Sequence, residues 1–142
     1  MLPPVANIER AIADFATKEN LAAAYLHGSA ATGRMDAESD VDVALLPQHS
    51  LTADERWDLR LRCIGFLMEK FPSEERKFDV VILQDVPVLL RYNIIRKGAC
   101  IFENTRVARM DFEVATERAY DDEEPYLRRE ADMTLRWILS HA

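Results

Sequence analysis

Two short apolar runs, and what interrupts them, constrain this chain more than any other feature. Leu21-Ala22-Ala23-Ala24-Tyr25-Leu26-His27 stops at Gly28-Ser29, and ten residues later a second run opens as Asp40-Val41-Asp42-Val43-Ala44-Leu45-Leu46 and ends at Pro47. Runs of this length bounded by Gly and Pro read as buried strands, here residues 23–27 and 41–46. Side chains alternate along a strand, so Asp40 and Asp42 share one face while Val41 and Val43 take the other. Aspartate is disfavoured in strands, so two on one face need a reason. A third apolar run, Phe78-Asp79-Val80-Val81-Ile82-Leu83, carries another carboxylate near its start.

The segments between these runs read as helices. Val5, Ile8, Ile12 and Phe15 recur at helical spacing over residues 5–18. Thr52 and Glu55 form a capping-box pattern, so a helix starts there. Trp57, Leu61, Ile64, Met68 and Phe71 mark its expected buried face, up to Pro72. Asp85 and Pro87 suit the start of another helix, which closes with Arg96 and Lys97 in its last turn and Gly98 beyond. Ala99-Cys100-Ile101-Phe102-Glu103 is a short fourth strand. From Thr105 the pattern is helical again, with Val107, Met110 and Val114 on one face. An acidic break at Asp121-Asp122-Glu123-Glu124-Pro125 is expected to divide this region, and Leu127, Ala131, Leu135 and Ile138 form the stripe of the second piece. The order predicts an α/β (α+β) chain, a small mixed sheet flanked by helices. Residues 1–104 are expected to form the domain and residues 105–142 its C-terminal helical extension.

At 142 residues there is room for one core and one site. No apolar run is long enough to span a bilayer, and Met1 to Asn7 lacks the basic and apolar regions of a signal peptide, so a cytoplasmic protein is expected. Cys63 and Cys100 lie apart, within apolar segments and without the Cys or His neighbours of a zinc site; they read as buried thiols. A net charge of −7 disfavours a broad grip on nucleic acid. It suits carboxylates that bind a cation, or a basic protein partner.

Such a pattern has a chemical use. Transfer of a nucleoside monophosphate needs a hydroxyl to attack the α-phosphorus while pyrophosphate leaves in line, and two divalent ions can clamp the entering and leaving oxygens. Mg²⁺ prefers hard oxygen ligands and keeps some waters. Asp40 and Asp42 can bridge a pair of ions, with Asp79 the strand-borne candidate for the third carboxylate and for orienting or deprotonating the attacking hydroxyl. At Gly28-Ser29, glycine lets the backbone approach phosphate and the Ser29 hydroxyl adds a donor. Arg34 either neutralises phosphate charge or is a solvated surface arginine. Ser39 either contacts the nucleotide or caps a turn.

Gly28-Ser29-Ala30-Ala31-Thr32-Gly33-Arg34 through Ser39-Asp40-Val41-Asp42-Val43 resembles the signature of the polymerase β-like nucleotidyltransferase superfamily. The short chain and the Phe78 to Leu83 run narrow the resemblance to the minimal nucleotidyltransferase (MNT) group over residues 5–103, including Leu89-Leu90-Arg91-Tyr92 through Gly98 and Phe102-Glu103 as that group's closing helix and strand. The resemblance implies a polymerase β-like fold and an antitoxin paired in a stable complex with an α-helical HEPN ribonuclease toxin. It implies an Mg²⁺-dependent adenylyltransferase that moves AMP from ATP to a hydroxyl, tyrosine foremost, of that toxin. Asp40, Asp42 and Asp79 would be its catalytic and metal residues, and Gly28, Ser29, Arg34 and Ser39 its nucleotide contacts. One departure is Thr32, where the group often has arginine before the second glycine; here Arg34 follows it.

Other readings stand beside this one. The chain could neutralise its partner by binding alone, or transfer a nucleotide to a small molecule such as an aminoglycoside. His27 and His49 read as structural or surface residues, since Mg²⁺ prefers oxygen. Tyr120 and the acidic cluster after it read as a solvated hinge, or as a docking surface for a basic toxin.

Overall fold

The computed structural model describes residues 5–28, 40–72 and 78–141. Four helices and four strands alternate along them: α1 (Val5–Lys18), β1 (Leu21–His27), β2 (Val41–Pro47), α2 (Ala53–Lys70), β3 (Phe78–Ile82), α3 (Val88–Lys97), β4 (Ala99–Glu103) and α4 (Arg106–Ser140). The strands form one sheet in the order β3-β2-β1-β4. It is mixed, as expected: β1 runs antiparallel to β2 and β4, while β2 and β3 run parallel.

Alternation along the strands divides the interior in two. Leu26, Val41, Val43, Leu45, Phe78, Val80 and Ile82 face α1 and α2, meeting Ile8, Ile12 and Phe15 from the first and Leu59, Cys63 and Leu67 from the second. On the other face Tyr25, Ala44 and Leu46 meet Leu83, Val86 and Ile94, with Phe112 of α4 packed against them. The result is three layers, helices on both sides of a four-stranded sheet.

Local signals act as read. Thr52 accepts from Glu55 N–H at 3.2 Å while Glu55 accepts from Thr52 N–H at 3.0 Å, closing the capping box of α2. Gly98 ends α3 and donates to the Ile94 carbonyl at 2.8 Å. Asp85 does not cap α3. It sits in a 3-10 turn, Leu83–Asp85, and pairs with Arg56 at 2.6 Å, leaving Pro87 at the N-cap. β1 and β2 each extend beyond the expected bounds, because Leu21 pairs with Pro47.

Two expectations are corrected. The buried stripe of α2 is Leu59, Cys63 and Leu67; of the expected residues Ile64 and Phe71 are half-buried and pack against this core, whereas Trp57, Leu61 and Met68 are 54%, 48% and 59% exposed. Both sets have helical spacing, and packing on the sheet selects the phase centred on Leu59, Cys63 and Leu67, with Ile64 and Phe71 at its flank. The C-terminal region is one helix, with Pro125 inside α4, rather than two pieces. Proline removes one N–H and crowds the preceding turn, but the remaining ladder carries the helix past it. Val107, Met110, Val114, Leu135 and Ile138 are exposed, so their stripes cover no core within the chain.

The inner half of α4 is nonetheless anchored. Tyr25 donates to Glu113 at 2.7 Å, Arg109 donates to the same oxygen at 3.0 Å, and Arg109 also reaches Glu103 at 3.6 Å. Tyr120 stacks on Tyr92 of α3 with ring centres 3.8 Å apart, so it is a packing residue rather than part of a hinge. Among the described residues no helix is long and apolar enough to cross a membrane.

Candidate active site

Strand register brings the site together at one end of the sheet. Across the antiparallel pair His27 is opposite Asp42, and across the parallel pair Asp42 is opposite Asp79. Residues paired in register project to the same face. His27, Asp42 and Asp79 therefore form a row across β1, β2 and β3, on the α3 and α4 side of the sheet. Asp40 lies just before β2 and is exposed.

Gly28 closes β1 in the left-handed region at φ +67°, where a side chain is strained. A Cβ there would overlap Asp42 Oδ2 and approach Asp42 Cγ to 3.5 Å. Absence of that atom lets the carboxylate lie against the turn backbone. The glycine is needed for two reasons, backbone angle and contact.

The electrostatics are those of crowded carboxylates. Asp42 is half-buried, and loss of water raises its pKa above the usual carboxylate range. Asp79 and Asp40 add like charge and raise it further, while His27 opposes the change. Burial holds His27 below its ordinary pKa against the pull of Asp42 and Asp79. That shift favours its neutral form, which offsets less of the carboxylates' charge. Its Nε2 is buried and has no hydrogen-bond partner among the described residues. Asp79 is more open, and its one ion-pair partner among the described residues is Arg60 of α2, with Nη2 4.0 Å from Oδ1.

These donors suit Mg²⁺ by type, since the carboxylates are hard oxygen ligands with no thiol among them. They do not form a closed cage. Among the described residues no three His, Cys, Asp or Glu side chains converge into a group that could hold a metal ion. Mg²⁺ characteristically takes one or two carboxylates and completes its shell with water and substrate phosphate. The aligned row, with the room at Gly28, has that open character.

Of the residues singled out from the sequence, the fold brings Gly28, Asp42 and Asp79 together, with Asp40 beside them. Ser29, Arg34 and Ser39 lie outside the described residues. His27 belongs to the row although its sequence context gave it a structural reading; its place one residue before the glycine was the available signal. Arg60 had none, because only the packing of α2 on β3 brings it to Asp79.

The family described as polymerase beta, nucleotidyltransferase matches residues 9–107, more than half of the chain and the whole of this sheet. The chain belongs to the polymerase beta nucleotidyltransferase family. Solved structures agree in fold. A chain of a toxin-antitoxin crystallised with AMP-PNP superposes with a TM-score of 0.70 at 22% identity, over 89% of this chain and 98% of that one. A chain of a complex between tri-AMPylated Shewanella oneidensis HEPN toxin and MNT antitoxin gives 0.68 at 21% identity, over 93% and 99%. A chain of the toxin-antitoxin MntA-HepT gives 0.66 at 20% identity, over 92% and 98%. Among curated proteins no match was found. In this nucleotidyltransferase the polymerase β-like fold is thus a four-stranded mixed sheet with helices on both faces and a long C-terminal helix.

Proposed function

We propose that this nucleotidyltransferase is an antitoxin that transfers AMP from ATP to a hydroxyl, tyrosine foremost, of a HEPN ribonuclease toxin and so neutralises it. The observation that carries the reading is the register pair Asp42 and Asp79 beside the Gly28 turn. The likeness in fold to chains from a complex containing a tri-AMPylated HEPN toxin, and from a toxin-antitoxin with AMP-PNP, supports the choice of acceptor and nucleotide.

Asp40, Asp42 and Asp79 would hold Mg²⁺, two ions in the full complex. Bound there, the metal supplies charge neutralisation at the entering and leaving oxygens. Asp79, the most open of the row after Asp40, orients the acceptor hydroxyl and takes its proton. Gly28 gives the phosphates access to backbone N–H groups, with Ser29, Arg34 and Ser39 as further nucleotide contacts. We take residues 1–104 as the transfer domain and residues 105–142 as an extension that serves a stable hetero-oligomeric complex. A cytoplasmic protein, with ATP at hand, accords with this reading.

With labelled ATP and Mg²⁺, label should be transferred to a cognate HEPN protein supplied with this chain. Asp40→Ala or Asp42→Ala should abolish transfer, and no transfer with any divalent ion would overturn the catalytic claim. A second reading, neutralisation by binding, has one observation in its favour: the outer half of α4 exposes Tyr126, Met133, Trp137 and Leu139. Protection of cells by Asp42→Ala would favour it. Loss of protection with the complex intact would exclude it. Label transfer to an aminoglycoside without partner protein would move the acceptor to small molecules.

A further inference from the structure

α2 packs on one face of the sheet and Asp79 projects from the other, yet the two are connected. β3 is the outer strand, and Arg60 reaches around its open edge. Its Nε donates to the Val80 carbonyl at 2.7 Å, and its guanidinium lies 5.5 Å from the Trp57 ring centre. Backbone carbonyl and aromatic face fix the side chain independently of Asp79. Of the two remaining nitrogens, Nη2 lies 4.0 Å from Asp79 Oδ1. Among the described residues neither Asp40 nor Asp42 has an ion-pair partner of this kind, and the fixed cation that these residues provide, Arg60, stands at the β3 end of the row.

We infer that Arg60 is a positioning residue for Asp79: it holds the carboxylate at the sheet edge and competes with a divalent ion for it. The inference rests on the metal-binding reading of the row given above. A guanidinium anchored on Val80 cannot swing away when a cation arrives. A metal ion at Asp79 therefore meets a neighbouring positive charge, and binding there is held weak until substrate phosphates contribute negative charge. Removing Arg60 has two opposite consequences: the metal binds more tightly to the free protein, while Asp79 is less well oriented for transfer.

Mn²⁺ binding to the full chain, without nucleotide or acceptor, tests this by the loss of the free-ion electron paramagnetic resonance signal. Arg60→Gln should bind Mn²⁺ about threefold more tightly than the wild type, the scale expected for an exposed ion pair. The same substitution in an Asp79→Asn background should change nothing. Transfer by Arg60→Gln should show a lower kcat with an unchanged KM for nucleotide. Arg60→Lys, which keeps the charge but cannot hold the carbonyl and the carboxylate together, should bind Mn²⁺ like the wild type and transfer more slowly. It serves as the test variant if Arg60→Gln does not fold. Unaltered Mn²⁺ affinity in Arg60→Gln, or tightening that persists with Asp79→Asn, would overturn this inference alone. Failure of the wild type to bind Mn²⁺ even with nucleotide present would overturn the metal reading with it.

Discussion

Gly28 lies so close to Asp42 that no side chain can stand between them. The backbone at Gly28 is left-handed, φ +67°, and a Cβ there would overlap Asp42 Oδ2. Gly28→Ala combines a backbone cost of about 1–2 kcal/mol with displacement of the carboxylate. A shift of about 1 Å at a reacting centre lowers a rate about 100-fold. We expect transfer to fall by at least that factor while the protein remains folded, measured by label transfer beside a thermal melt. Wild-type transfer by Gly28→Ala would remove Asp42 from the reacting centre.

The phase of α2 gives a stability prediction. Leu67 is fully buried against the sheet, whereas Leu61 is 48% exposed. Leu67→Ala should cost about 2–5 kcal/mol, the range for a deleted core leucine. Leu61→Ala should change stability by no more than about 0.5 kcal/mol. Urea unfolding of the two variants distinguishes the phases, and equal losses would place both stripes in contact.

Comparison of these two leucines also shows where the sequence stops being legible. The strands could be read because Val41 to Pro47 is short, apolar and ended by proline, and Phe78 to Ile82 is short and rich in β-branched residues. Asp42 and Asp79 could be read because a carboxylate inside such a run has no packing use. Helical periodicity in α2 is satisfied by both Trp57/Leu61/Met68 and Leu59/Cys63/Leu67, and spacing alone does not fix which phase meets the sheet. The sheet chooses. The break expected at Pro125 does not occur, because a helix continues past one lost N–H when its other hydrogen bonds hold. Arg60 and the register of His27 depend on contacts between distant segments, which no local pattern encodes.

Alkaline pH should weaken the fold through Cys63 and Tyr25. Burial pushes the Cys63 thiol up to about 12. Burial raises the Tyr25 hydroxyl too, and Glu113, which accepts its hydrogen bond, raises it further. In the unfolded chain these groups ionise near about 8.5 and 10. Raised folded values mean that their contribution is complete below the unfolded pKa and is lost as pH rises toward the folded one. Melting temperature should therefore decline from about pH 9 upward, and Tyr25→Phe should flatten the upper part of the decline. Native Cys63 should resist a thiol reagent at pH 8; rapid labelling would contradict its burial.

Pro125 offers a test of how α4 is divided between core and solvent. Tyr25, Glu113, Thr116 and Tyr120 tie the first half of the helix to β1 and α3, whereas residues 128–140 are exposed throughout. Proline in a helix interior costs about 3 kcal/mol relative to alanine. Where no tertiary contact fixes the helix, that difference acts on local opening rather than on global unfolding. Pro125→Ala should slow amide hydrogen exchange across residues 122–140 and raise helical circular dichroism, with little change in the melting temperature of the core. A large rise in melting temperature would show that the outer half of α4 unfolds together with the sheet.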